Sequence, residues 1–262
     1  MIKFIRILKK AIGMSLAEEM AYKWNFYVKA FACAISDFVG PLLTLLIYTT
    51  SEGIPGWGFY EFLLFQGTLT LVFGLGHTFV MMMPYDIMSS VRLGEFDKYL
   101  VKPFNTLLYM LATSFDMEGL AEVLVGIIIV AFSMFKLGIS VVSFDFLAFI
   151  VLVIAGFFMQ AAAMTLISAL SFIVVNSDAL VQLYFKISDF VRYPLNVYSF
   201  GIRFFLTFMF PLAISSFYPS IVLIQGATPK IMLTALIPIA VFLVVSVLLW
   251  NRAMKSYTSA GG

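Results

Sequence analysis

The chain has 262 residues, 62% of them apolar and 11% charged, with a mean hydropathy of +1.04, which excludes a soluble domain of about 45–50% apolar content and indicates an integral membrane protein. A formal charge of +2 gives no reason to expect a nucleic-acid partner, and a single cysteine, Cys33, excludes an intrachain disulfide or a thiolate metal site.

Residues 1–29 carry Lys3, Arg6, Lys9, Lys10, Lys23 and Lys29 and no apolar run as long as a signal-peptide core, so no cleaved signal is expected. Ile5, Leu8, Ile12 and Leu16 fall close to one helical stripe with lysines opposite, the pattern of a basic amphipathic helix at the membrane surface. Residues 30–262 read as one transmembrane domain. Its first span is 30–50, long enough at about 1.5 Å per residue to cross about 30 Å of hydrocarbon, with a bend predicted at Gly40-Pro41. Asp37 lies about a third of the way into that span, where a carboxylate lines a wet cavity or makes an interhelical hydrogen bond. A short turn at 53–58 leads to the second span, 58–83, closed by Pro84; Glu61 reads as structural at the outer turn, and the lone His77 as a packing group.

Residues 91–103, VRLGEFDKYLVKP, form a charged island that cannot stay in lipid, because charge at the bilayer centre costs about 2.5–3.5 kcal/mol per residue. Gly94 and Pro103 bracket a short amphipathic helix on which Phe96, Tyr99 and Leu100 share a face while Asp97, Lys98 and Lys102 point elsewhere. The third span, 106–135, exceeds what a bilayer requires, so its polar first half is expected to project into the cytoplasm. There Asp116, Glu118 and Glu122 form an acidic group, either a solvated helix face or the lining of the inner mouth of a pathway. The fourth span, 144–175, carries a small-residue face of Ala161, Thr165, Ser168 and Ala169. After it, Ser177 or Asp178 caps an amphipathic helix with Leu180, Leu183, Tyr184 and Ile187 on one side, expected at the inner surface. The fifth span, 199–218, is interrupted by Pro211; residues 220–224 are too short to cross and suggest a re-entrant piece; the sixth span is 231–250.

These six spans, with both termini cytoplasmic, place thirteen Lys and Arg inside, Lys136 and Lys230 outside, and Arg203 near the inner end of the fifth span. The expected fold is thus an all-α integral membrane protein with an N-terminal interface helix and a short cytoplasmic helix between spans two and three. No phosphate-binding Gly-x-x-x-x-Gly-Lys-Ser/Thr motif occurs, and Gly74-Leu75-Gly76 suits close helix packing better than nucleotide binding. An enzyme is not expected, since nothing positions a nucleophile near the paired carboxylates.

Gly94, Glu95, Phe96, Asp97, Lys98, Leu100, Lys102 and Pro103 follow the loop pattern of a known family. Tyr22 and Asn25-Phe26, Gly56-Trp57 with Glu61 and Gly67, Pro194 with Tyr198, and Pro211 and Pro219 extend the likeness over most of the chain. On these motifs the chain resembles the permease subunit of type-2 ATP-binding-cassette transporters, among the drug- or lipid-export-like permeases of bacteria and archaea. The resemblance implies a coupling helix at 94–103 that contacts a separate cytosolic ATPase, which would hold ATP and magnesium while this chain holds no cofactor. It also implies a second permease copy or sister subunit, the plasma membrane of a prokaryote, and an ATP-driven exporter of which this chain forms half the conduit. Asp37, Asp116, Glu118 and Glu122 are the candidate pathway residues. The alternative is an ATP-independent carrier or channel that uses these carboxylates.

Overall fold

A computed structural model describes residues 2–21, 23–173 and 178–257. The protein is about 80% helical with no strand among the described residues. Four helical stretches, Phe59–Arg92, Gly119–Leu137, Phe144–Leu170 and Pro229–Met254, are long and apolar enough to cross a membrane. It is a multi-pass membrane protein.

Helix α1 spans Ile2–Ala21, α2 Lys23–Asp37 and α3 Val39–Thr50. The predicted bend therefore falls at Phe38, just before Gly40-Pro41. Proline 41 lacks an N–H and its ring crowds the carbonyl four residues earlier, that of Asp37, so the helix breaks where that carbonyl loses its partner. Below the break the helix begins at Lys23, well before the expected start of the first span.

Helices α4, Phe59–Phe79, and α5, Met83–Arg92, are joined by a tight turn in which the N–H groups of Val80 and Met81 both donate to the Gly76 carbonyl. Pro84 was expected to close the second span. It sits instead in the first turn of α5, where its missing N–H would have been unpaired anyway, and the helix runs on to Arg92. After the four-residue α6, Asp97–Leu100, come α7, Thr106–Thr113, and α8, Gly119–Leu137. The continuous helical pattern expected over 106–135 is thus interrupted at 114–118. There the Asp116 N–H leaves the helix and donates to the Thr78 carbonyl of α4 at 2.8 Å.

Helices α4 and α8 pack backbone to backbone. A Cβ on Gly126 would lie 2.5 Å from the Leu71 nitrogen, on Gly119 2.5 Å from the Thr78 nitrogen, and on Gly74 2.7 Å from the Val123 nitrogen. Gly67 completes the seam against Ile129. On each helix the two glycines are seven residues apart, two helical turns, so both fall on the contact face.

Helix α9, Phe144–Leu170, starts at Ser143, whose hydroxyl accepts from the Phe146 N–H at 3.1 Å, and forms the centre of the largest apolar core. It is followed by α10, Asp178–Ser188, with 3-10 turns at Asp189–Arg192 and Leu195–Val197. The amphipathic helix expected at the inner surface does not lie there. It runs lengthwise against the bundle, antiparallel to α4: the Tyr184 hydroxyl bonds Gln160 of α9, Gln66 donates to the Arg192 carbonyl at 2.9 Å, and Trp57 Nε1 donates to Asn196 at 3.0 Å. Its buried stripe is Val181, Tyr184 and Ser188, whereas Leu183 is exposed. Ser177 lies outside the described residues.

From Asn196 the chain turns back into the bundle. Helix α11, Phe200–Phe204, passes into a π-helical turn at Phe205–Met209, a 3-10 turn at Leu212–Ser215, and α12, Phe217–Gln225. The turn is deep: Phe210 packs on Phe242, and the Ile214 carbonyl lies near Gly156, both far inside their helices. Yet the Ala227 N–H reaches Asp145, at the start of α9, at 2.7 Å. Residues 199–225 therefore enter and leave at one end, so the expected fifth span at 199–218 is one limb of a re-entrant hairpin. Its irregular backbone is tolerated because Leu212, Ala213, Ile214 and Ser215 are buried in protein. Helix α13, Pro229–Met254, packs along α9 and ends beside the 93–105 loop, where Trp250 is buried.

Candidate functional site

Two arrangements of polar and charged side chains stand out against the apolar bundle. The first is the loop after α5. Gly94 adopts φ +69°, its N–H donates to the Val91 carbonyl, and the Glu95 N–H donates to the Ser90 carbonyl at 2.8 Å, so the carbonyls of the last helical turn are satisfied and the chain reverses sharply. That reversal drives Phe96 inward. Its ring is fully buried against Phe172 (4.9 Å between centroids) and Tyr257 (5.2 Å), and Phe172 in turn meets Trp250 at 5.4 Å.

The loop is thereby pinned to the chain just after α9 and to the end of α13. Phe96 was grouped with Leu100 on one face; here it anchors the loop from beneath, while Leu100 is 42% and Val101 81% exposed. Lys98 bonds Glu95 at 2.5 Å, which holds its ammonium above the ordinary lysine value. Lys102 bonds the Tyr109 hydroxyl at 2.5 Å and lies 3.9 Å over that ring, tying the loop to α7. Asp97 is half-buried, and Pro103 is exposed at the rim.

The second arrangement is a groove bounded by α2 and α3, α4 and α10. A cavity of about 300 Å³ includes Gln66, Thr70, Phe73, Glu122, Phe185 and Arg192 in its lining. A second, of about 270 Å³, continues past His77 and Tyr85 and shares Phe73, Glu122 and Phe185 with it. At the end nearer the 93–105 loop, His77 sits between two carboxylates, with Nδ1 2.6 Å from Glu122 and Nε2 3.7 Å from Asp116. Lys29 of α2 bonds Glu118 at 2.7 Å. The acidic trio is therefore divided: Glu122 and Asp116 face the imidazole, and Glu118 faces the lysine. Asp116 also folds its own loop by accepting the Glu118 N–H at 2.8 Å. Toward the other end Arg192 pairs with Asp189 at 3.0 Å, an exposed contact worth roughly 0.2–1 kcal/mol.

Asp37 closes α2, but its side chain lies outside the described residues, as does Tyr22. Glu61 accepts the Gly58 N–H at 2.8 Å and caps α4. Gln66, Thr70, Ser188, Asp189 and Arg192 were not among the expected site residues. A signal for the first two existed: Gln66, Thr70, Phe73 and His77 recur at steps of four, three and four, one face of a helix that is otherwise apolar. The groove joins apolar walls to charged groups at both ends.

A family model described as ABC-2 family transporter protein matches residues 35–261. No curated protein matches the chain.

Proposed function

Because the chain belongs to the ABC-2 family of transporter proteins, and so serves as a membrane permease, we propose that it forms half of the conduit of an ATP-driven exporter in a prokaryotic plasma membrane. A second copy or a sister permease supplies the other half. ATP and magnesium are held by separate cytosolic ATPase subunits. Six passages, along 23–50, 59–92, 106–137, 144–170, 178–197 and 229–254, leave both termini cytoplasmic, with 1–29 beginning as an interface helix. The orientation draws support from Arg92, Lys98, Lys102, Arg252 and Lys255 at the end that carries the loop, against Lys136, Lys230 and Arg203 toward the opposite end; Arg203, expected near the inner end of a fifth span, instead begins the re-entrant hairpin there. Arg192 and Lys186 leave the inner count, since α10 stands along the bundle.

The observation that carries the reading is the loop at 93–105, exposed at its tip and locked at its base. A lever must accept a push without deforming, and Phe96 ties this one to the ends of two long helices. Gly94, Glu95, Asp97, Lys98, Leu100, Lys102 and Pro103 then make or shape the surface offered to the ATPase, with Phe96 as its root. Leu100 and Val101 are the apolar groups available for a cleft on the partner. Purification from the native membrane is expected to bring a cytosolic ATPase with the wild-type chain. The double substitution Leu100→Asp, Val101→Asp should lose it while the chain's thermal midpoint and elution volume stay unchanged. An undiminished ATPase with the double variant would refute the assignment.

The groove is the proposed pathway wall, with Asp116, Glu118 and Glu122 toward its cytoplasmic mouth and Asp37 as a further candidate on the first span. His77 clamped between Glu122 and Asp116 also favours a second reading, ATP-independent carriage that uses these carboxylates. In liposomes holding the chain alone, proton-driven flux that disappears in Glu122→Gln would support that second reading. The exporter reading expects no flux until the ATPase and ATP are added.

A further inference from the structure

At the end of the bundle opposite the 93–105 loop, a cavity of about 300 Å³ lies between the 53–58 turn, the first turn of α4, the 195–197 turn, α12 and the start of α13. Trp57, Glu61, Asn196, Phe217, Tyr218 and Gln225 are among its walls, and none of its lining residues is shared with the groove. The aromatic walls are fixed by their neighbours. The Tyr48 hydroxyl donates to the Trp57 carbonyl at 2.6 Å, Trp57 Nε1 donates to Asn196 Oδ1 at 3.0 Å, and Asn196 Nδ2 donates to the Pro55 carbonyl at 2.9 Å. Trp57 and Phe217 lie 6.2 Å apart at 53°, and Phe217 and Tyr218 5.4 Å apart at 85°, so the three rings stand at steep angles to one another rather than in a parallel stack.

The charge in this cavity has one sign. Its lining contains no lysine, arginine or histidine, and among the described residues none of these pairs with Glu61. Glu61 Oε2 accepts the Gly58 N–H at 2.8 Å to cap α4, which leaves Oε1 to accept from a ligand. Asn196 already uses both ends of its amide on Trp57 and Pro55. An enclosure of aromatic rings with one carboxylate and no fixed cation selects a weakly hydrated positive group, because the ring quadrupoles and the carboxylate attract it together. We propose that this cavity binds one organic ammonium group, with Trp57, Phe217 and Tyr218 as its cage and Glu61 as its counter-ion. The cavity sits where α4 begins, at a membrane edge, so the group can belong to a phospholipid headgroup or to a small soluble amine. The site is separate from the groove and does not rest on the assignment of the ATPase.

Binding of radiolabelled choline to the full chain in phosphatidylglycerol nanodiscs, without ATP, tests this. The competitor is 3,3-dimethylbutan-1-ol, which has the shape of choline without its charge. Saturable binding of one choline per chain is expected, with the neutral alcohol weaker by about ten-fold or more, the size of a desolvated cation–π contact. Glu61→Gln keeps an oxygen for the Gly58 N–H but loses the charge, and should weaken choline by about ten-fold while leaving the alcohol unchanged. Phe217→Leu keeps an apolar wall without a ring and should act in the same direction. Absence of saturable choline binding would overturn the proposal, as would equal affinity for the alcohol or undiminished choline affinity in Glu61→Gln. That last variant decides the matter even if Phe217→Leu does not fold. Repeating the titration in phosphatidylcholine nanodiscs separates the two sources: choline excluded there assigns the site to a lipid headgroup, and choline bound equally well assigns it to a soluble amine.

Discussion

Gly126→Leu is expected to leave almost no folded protein. The Cβ alone would stand 2.5 Å from the Leu71 nitrogen and 2.6 Å from the Leu71 Cα, backbone atoms that cannot rotate away as a side-chain tip can. Overpacking costs about 1–3 kcal/mol where neighbours yield; here α4 must separate from α8 along the seam that also holds Gly67, Gly74 and Gly119, so a loss above about 3 kcal/mol is expected. Against a typical total of about 5–15 kcal/mol, that is enough to remove most monodisperse material from a purification. Gly201→Ala is the matched control, because nothing lies within 4 Å of its added Cβ. Comparable yields and thermal midpoints for the two variants would show that α4 and α8 are not in backbone contact.

Phe96→Ala should lower stability by about 3–5 kcal/mol, the usual cost of emptying a fully buried aromatic site. For a chain of this size the thermal midpoint would fall by roughly 10 °C. The ring fills the space between Phe172 and Tyr257, and its removal also frees the base of the loop from Trp250 at the end of α13 through the intervening Phe172. Val101→Ala, one turn away but 81% exposed, should change the midpoint little. A Phe96→Ala protein as stable as the Val101→Ala protein would place the ring outside the core and remove the lever argument with it.

The contrast between Phe96 and Leu100 shows where reading the chain as a string reaches its limit. Both are apolar and four residues apart, so a helical wheel puts them together. The glycine turn at Gly94 and the four-residue length of α6 defeat the wheel, because a helix that short has no continuous face. Residues 178–197 failed differently. Their mixed polarity fits a helix on the membrane surface equally well as one that stands against a polar groove, and only partners remote in sequence, Gln66 and Trp57, separate the two. His77 has no motif around it; Glu122 is 45 residues away and comes to 2.6 Å because the glycine seam sets α4 against α8.

Apolar composition and the lengths of the hydrophobic runs determined that this is a helical, multi-pass membrane protein, since lipid offers the backbone no hydrogen bonds and forces each run to satisfy its own. The charged island at 91–103 was equally legible, because desolvation confines such a cluster to water wherever the rest of the chain goes. Tertiary packing decided which face of that island is buried, which way 178–197 and 199–225 run, and how the acidic trio is shared between Lys29 and His77. Those outcomes depend on close contacts between distant segments, and a contact energy between two helices is written in neither helix alone.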